Sequence, residues 1–152
     1  MAKEIEGIIR QAIAREEDSY ALYTKAKEMV KPSHVKGLLG DLAQEELDHK
    51  AKLEGLLKGD VERAIAREHR EKVVNLRISD YLKPISLDEL VDVQDVLLLA
   101  MRKEKEAHDF YAGLAGLTTG IAKSLFELLA NEELKHKSKV ETMYEEIVYQ
   151  AF

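Results

Sequence analysis

Six side chains of this sequence have the donor types that hold metal ions and recur at matched spacing: Glu16, Glu46, His49, Glu104, Glu133 and His136. Glu46/His49 and Glu133/His136 are two copies of Glu-x-x-His, a separation that puts both side chains on one helix face about a turn apart. Each copy interrupts an apolar stripe, Leu42 to Leu53 in one case and Leu129 to Val140 in the other, where a solvated polar group is out of place. Glu16 and Glu104 break the stripes of two further segments in the same way. One Glu-x-x-His on a charged helix is ordinarily a solvated face. Two copies, each opposite a stripe-breaking Glu, argue for ligation. The chain contains no cysteine, so disulfides, thiol nucleophiles, zinc ribbons and iron–sulfur clusters are excluded, and any metal must be held by His, Asp and Glu. Imidazole and carboxylate without thiolate suit iron, manganese or zinc.

The elements that position these residues are helices. Strong helix formers dominate, and only 8 Gly and 2 Pro punctuate 152 residues. The apolar period predicts helices over about 3–30, 33–58, 87–116 and 120–149, with a crossover over about 60–86 in a single domain spanning 1–152. Lys31-Pro32-Ser33 is expected to end the first helix and cap the second, and Ser86-Leu87-Asp88-Glu89 to open the third as a capping box. The predicted fold is therefore all-α, a ferritin-like four-helix bundle of two similar hairpins joined by a long crossover. The hairpins repeat in sequence: Leu42 to Lys50 aligns with Leu129 to Lys137, and Glu16…Tyr23 with Glu104…Tyr111. Glu16 and Glu46 flank the Lys31-Pro32 turn equally, and Glu104 and Glu133 flank the Leu117–Thr119 link equally. Antiparallel helices rising about 1.5 Å per residue thus bring each pair to one height, and all six side chains can converge. A Glu from each of two helices with Glu-x-x-His from the other two is the donor set of a dinuclear carboxylate bundle. Four carboxylates also balance the charge of two divalent ions, expected to be iron, with manganese or zinc as alternatives.

A net charge of −6 speaks against a nucleic-acid partner. No apolar run is long enough for a membrane span or a signal core, so a cytoplasmic location is expected. Glu17, Glu45, Glu106 and Glu132 are expected to lie at the surface or behind the ligands. His34 and His69 are expected to be exposed, and for His108 exposure is favoured over ligation. Tyr20, Tyr23 and Tyr111 are placed on the ligand faces, packing in the core or hydrogen-bonding a ligand carboxylate. The apolar residues of the crossover (among them Val73, Leu76, Ile78 and Leu82) need burial, which predicts a homodimer or larger assembly.

With Glu16…Tyr23, Glu46-Leu47-Asp48-His49, Glu104…Phe110-Tyr111 and Glu133-Leu134-Lys135-His136 in place, and Ile78 to Leu82 in the crossover, the sequence resembles the rubrerythrin branch of the ferritin-like superfamily. The resemblance implies a non-haem di-iron protein that reacts with peroxide or O₂. It also implies a rubredoxin-like electron donor, here expected to be a separate partner because the chain lacks cysteine. Peroxidase-type members have a further ligand Glu three residues after the third-helix Glu; Ala107 stands there in this chain. Six ligands carry over and the seventh does not, so a comparatively fixed site and slow reaction with peroxide are expected. Two other functions stay open at this stage: an iron storage or transfer ferroxidase, and a metal-stabilised structural bundle without turnover.

Overall fold

The computed structural model describes residues 3–59 and 92–150. All regular structure among them is helical: α1 Lys3–Met29, α2 Ser33–Lys58, α3 Val93–Leu117 and α4 Gly120–Gln150. The expected all-α bundle of two hairpins is what forms. The crossover, its apolar residues, His69 and the Ser86 capping box lie outside the described residues.

Local chemistry accounts for the breaks. Pro32 stands at the start of α2 in an extended conformation (φ −59°, ψ 129°) without a side-chain cap, and its carbonyl accepts the Lys36 N–H at 3.0 Å. Ser33 is therefore the first helical residue rather than the cap expected for it. Lys36 also reaches back, its Nζ donating to the Lys27 carbonyl at 2.9 Å and placing a cation on the last turn of α1. Gly59 ends α2 in the left-handed region at φ 85°, where a side chain would be strained, and its N–H caps the Gly55 and Leu56 carbonyls. The helix carrying Glu104 begins at Val93 and not at the expected 87. Asp92 is extended (φ −152°, ψ 179°), and its carboxylate accepts the Asp95 N–H at 3.0 Å, so a side-chain cap sets this boundary where apolar periodicity does not. At the other end of α3, the Thr118 hydroxyl donates to the Leu114 carbonyl at 2.8 Å.

Two separate apolar clusters show how the helices run. One joins the beginning of α1, the end of α2, the end of α3 and the beginning of α4, through Ile9, Leu53, Leu56, Leu114 and Phe126. The second joins the opposite ends, through Val30, Leu39, Leu97, Met101 and Val140. Helices α1 and α4 thus point one way and α2 and α3 the other. The end of α2 and the start of α3 therefore lie at opposite ends of the bundle, the arrangement of a ferritin-like topology. Helices pack most closely within each hairpin, α1 on α2 and α3 on α4. Between the two apolar clusters lies a layer of buried charge, and the candidate site is that layer. No described helix is long and apolar enough to cross a membrane.

Candidate metal centre

Each of the four helices delivers its polar side chains to the same level. Glu16, Glu46, His49, Glu104, Glu133 and His136 are all at most 3% exposed. They form two overlapping groups, Glu16, Glu46, His49 and Glu133 in one and Glu46, Glu104, Glu133 and His136 in the other. Within each group one donor atom per residue lies within 4.8 Å of every other. Donors about 2.1 Å from a shared ion stand roughly 4 Å apart across it, so each group has the size of one coordination sphere. Glu46 and Glu133 belong to both groups and Glu16/His49 and Glu104/His136 to one each, so the six residues form two adjacent ion-sized groups that share two carboxylates.

The orientation of the imidazoles supports this fit. The Nε2 of His49 contacts the Glu132 carboxylate and that of His136 the Glu45 carboxylate, both across the hairpin interface. A neutral ring that donates from Nε2 turns the Nδ1 lone pair inward. His49 Nδ1 then lies 2.8 Å from Glu133 Oε1 and 3.6 Å from Glu16 Oε2. His136 Nδ1 lies 3.4 Å from Glu104 Oε2 and 3.5 Å from Glu46 Oε1. The two rings stack at 5.4 Å with an interplanar angle of 7°. Both Nδ1 atoms, Glu16 Oε2, Glu46 Oε1, Glu104 Oε2 and both Glu133 oxygens are buried without a hydrogen-bond partner. Acceptors gathered this closely in a dry core repel unless a cation or protons lie among them. The residues present therefore fit a pair of metal ions.

The protonation pattern follows from the same crowding. Burial raises the Glu46 and Glu133 carboxyls well above the ordinary range, and the neighbouring Glu104 charge raises them further. Burial also opposes a charged imidazole, yet contacts with Glu132, Glu133 and Glu16 outweigh it at His49. Glu104, Glu45 and Glu46 do the same at His136. Both histidines accordingly hold protons well above the usual range when no metal is bound. Glu16 and Glu104 go the other way: burial raises them, but close contacts with neighbouring carboxyls and the histidines, together with the tyrosine hydrogen bonds, prevail.

Tyr23 donates to Glu104 Oε1 at 2.5 Å, and Tyr111 donates to Glu16 Oε1. Each tyrosine crosses to the other hairpin and occupies one oxygen of the terminal carboxylate, leaving the second for metal. Tyr20 differs from expectation: it is 37% exposed and off the ligand face. Seven residues come close to two full turns, so Tyr23 and Tyr111 stay in phase with Glu16 and Glu104, whereas four overshoot by about 40°. His108, four after Glu104, is not exposed and belongs to neither donor group. It is half-buried, with Nδ1 3.1 Å from the Ala130 carbonyl. His34 is exposed, and Glu17 and Glu106 are exposed beside Lys50 and Lys103.

Glu45 and Glu132 hold the outer edges of the histidines, a role the Glu-Glu-x-x-His spelling in both repeats hints at without saying which helix they reach. They are not equivalent. Glu132 has a side chain 13% exposed and an ion pair to Lys52 at 3.2 Å; despite burial, His49 and Lys52 hold its carboxyl at about 2. Glu45 is 36% exposed, with Lys139 3.8 Å away. Outer carboxylates orient and polarise ligand imidazoles, and removing one weakens metal binding about 10- to 100-fold. Glu132→Ala is expected to fall toward the larger figure at the His49 position, and Glu45→Ala toward the smaller at the His136 position. Competitive titration with a chromophoric chelator measures both; equal losses would remove the asymmetry.

Fold and site together define a ferritin-like four-helix bundle with a candidate dinuclear carboxylate–histidine centre. Within that class the chain is similar to the rubrerythrin family, whose model matches residues 1–57, all but the last residue of the first hairpin, with Glu16, Glu46 and His49. No curated protein and no solved structure matches the chain.

Proposed function

We propose that the protein is a two-iron oxidoreductase of rubrerythrin type that reduces hydrogen peroxide or O₂ and receives its electrons from a separate, rubredoxin-like donor. The observation that supports this most is the sharing of Glu46 and Glu133 between two ligand groups, which couples two ions in one buried layer. When bound, two ferrous ions supply one electron each, matching the two that take one peroxide and two protons to two waters. The chain's own residues prepare the site. Apolar layers on both sides exclude water, which strengthens every charge interaction within. Tyr23 and Tyr111 fix the terminal carboxylates, and Glu132 and Glu45 keep the Nε2 protons in place so that each Nδ1 faces inward.

The test is to load the protein with Fe(II) without oxygen and mix it with peroxide. We expect about two irons per chain and about one peroxide consumed for every two irons oxidised, followed by absorption. Loaded protein that leaves peroxide intact would overturn the oxidoreductase reading while keeping the metal centre.

A further inference from the structure

The internal repeat gives the centre a pseudo-two-fold axis, and the α2–α4 face departs from it. Lys52 and Lys139, each three residues beyond one of the site histidines, stand 87 positions apart, as do Glu45 and Glu132 and the histidines themselves. Each lysine reaches the glutamate of the other hairpin that holds its own histidine: Lys52 reaches Glu132 at His49, and Lys139 reaches Glu45 at His136. Two lysine–glutamate–histidine chains therefore close this face.

They close it to different degrees. Lys52 is 12% exposed and lies 3.2 Å from Glu132, whereas Lys139 is 56% exposed and 3.8 Å from Glu45. An exposed, screened pair does little to hold its carboxylate in place, and a mostly buried one does more. The space beside each glutamate differs in the same sense. Helical side chains lean toward the N-terminus of their own helix, so Glu45 leans toward Leu38 and Glu132 toward Leu125, each seven residues earlier. Leu125 and Leu56 are sealed in one apolar cluster. Leu38 and Met143, their counterparts in the repeat, are half-buried and with Lys139 line a groove of about 310 Å³ between α2 and α4. Glu45 has room to withdraw, and Glu132 does not.

We propose that Glu45 and Lys139 form an exchange gate: Glu45 swings into this groove, frees the outer edge of His136, and opens the Glu104/His136 position to divalent-metal exchange with chelating acceptors. The Glu16/His49 position, locked by Glu132 and Lys52, keeps its ion. The inference rests on the two-metal part of the function proposed above and adds to it exchange at one position. The two ions differ in how fast a competitor takes them, not in whether desalting retains them. The probe is Zn(II): protein loaded with two ions per chain is mixed with excess chromophoric chelator and followed by stopped-flow absorption. Two phases of one ion each are expected, at least about tenfold apart in rate, the faster becoming independent of chelator concentration because opening limits it. His136→Ala should remove the fast phase and His49→Ala the slow one. Lys52→Met frees Glu132 and should quicken the slow phase about tenfold, while Lys139→Met should change the fast phase by less than about twofold. A single phase for both ions would overturn the proposal and spare the metal pair. So would a fast phase that persists in His136→Ala, or a slow phase that Lys52→Met leaves unchanged. Protein that holds fewer than two zinc ions would overturn the two-metal reading, and this proposal with it.

Discussion

Stripping the metal is expected to lower the melting temperature by on the order of 20 °C near pH 8, and by clearly less near pH 5.5. Two ions, each present at about a thousand times its dissociation constant, stabilise the folded chain by about 8 kcal/mol together, and a domain of this length shifts by roughly 2–4 °C per kcal/mol. The pH dependence comes from the metal-free protein. Glu46 and Glu133 have folded pKa values raised above 4.5, and His49 and His136 values raised above 6.5. Above those reference values the folded chain binds protons that the unfolded chain has released, so stability falls as pH rises toward the folded values. Glu16, Glu45, Glu104 and Glu132 are lowered, and their contribution is lost only as pH falls below about 4.5, outside this window. Metal binding displaces the same protons, so the loaded form gains on the metal-free form as pH rises. Scanning calorimetry with and without chelator at several pH values measures the gap. A gap that narrows with rising pH would contradict the protonation pattern.

The convergence of the six donor side chains was legible in the sequence because helix geometry is rigid. Once Lys31-Pro32 and Leu117–Thr119 are recognised as turns, equal rise on both arms brings Glu16 level with Glu46 and Glu104 level with Glu133, and the structure gathers these four with both histidines. Contacts between hairpins were less accessible, because no turn fixes their register. Tyr23 could be placed on the ligand face, but not matched to Glu104 across the bundle. Glu45 and Glu132 could be seen beside the ligands, but not on the histidine of the opposite hairpin. The start of α3 escaped for another reason: two residues of N-cap type, Ser86 and Asp92, stand within seven residues of each other, and apolar periodicity does not separate them. Ala107 carried a third kind of signal. Beside an aligned Ser19 it shows as a small residue, but that both face one cavity on the pseudo-axis follows only from the packing.

The sharing of carboxylates makes the ligands unequal, and substitution should expose this as a difference in ion count. His49→Ala deprives only the group containing Glu16, so about one ion per chain should survive desalting, and His136→Ala should give the same number from the other group. Glu46→Ala or Glu133→Ala removes a donor from both groups and should leave close to none. Stability should move oppositely in the metal-free state. Glu133 is fully buried among Glu46, Glu104 and the two imidazoles, with both oxygens lacking hydrogen-bond partners, so an uncharged Glu133→Gln side chain relieves repulsion there. Metal-free Glu133→Gln should melt above metal-free wild type near pH 8, while its metal-loaded form melts below loaded wild type. A residue that served only to pack the core would lower both temperatures together. Elemental analysis beside paired melting curves separates the cases. If His49→Ala and Glu133→Ala retain equal amounts of metal, the two shared carboxylates, and with them the dinuclear arrangement, would have to be abandoned.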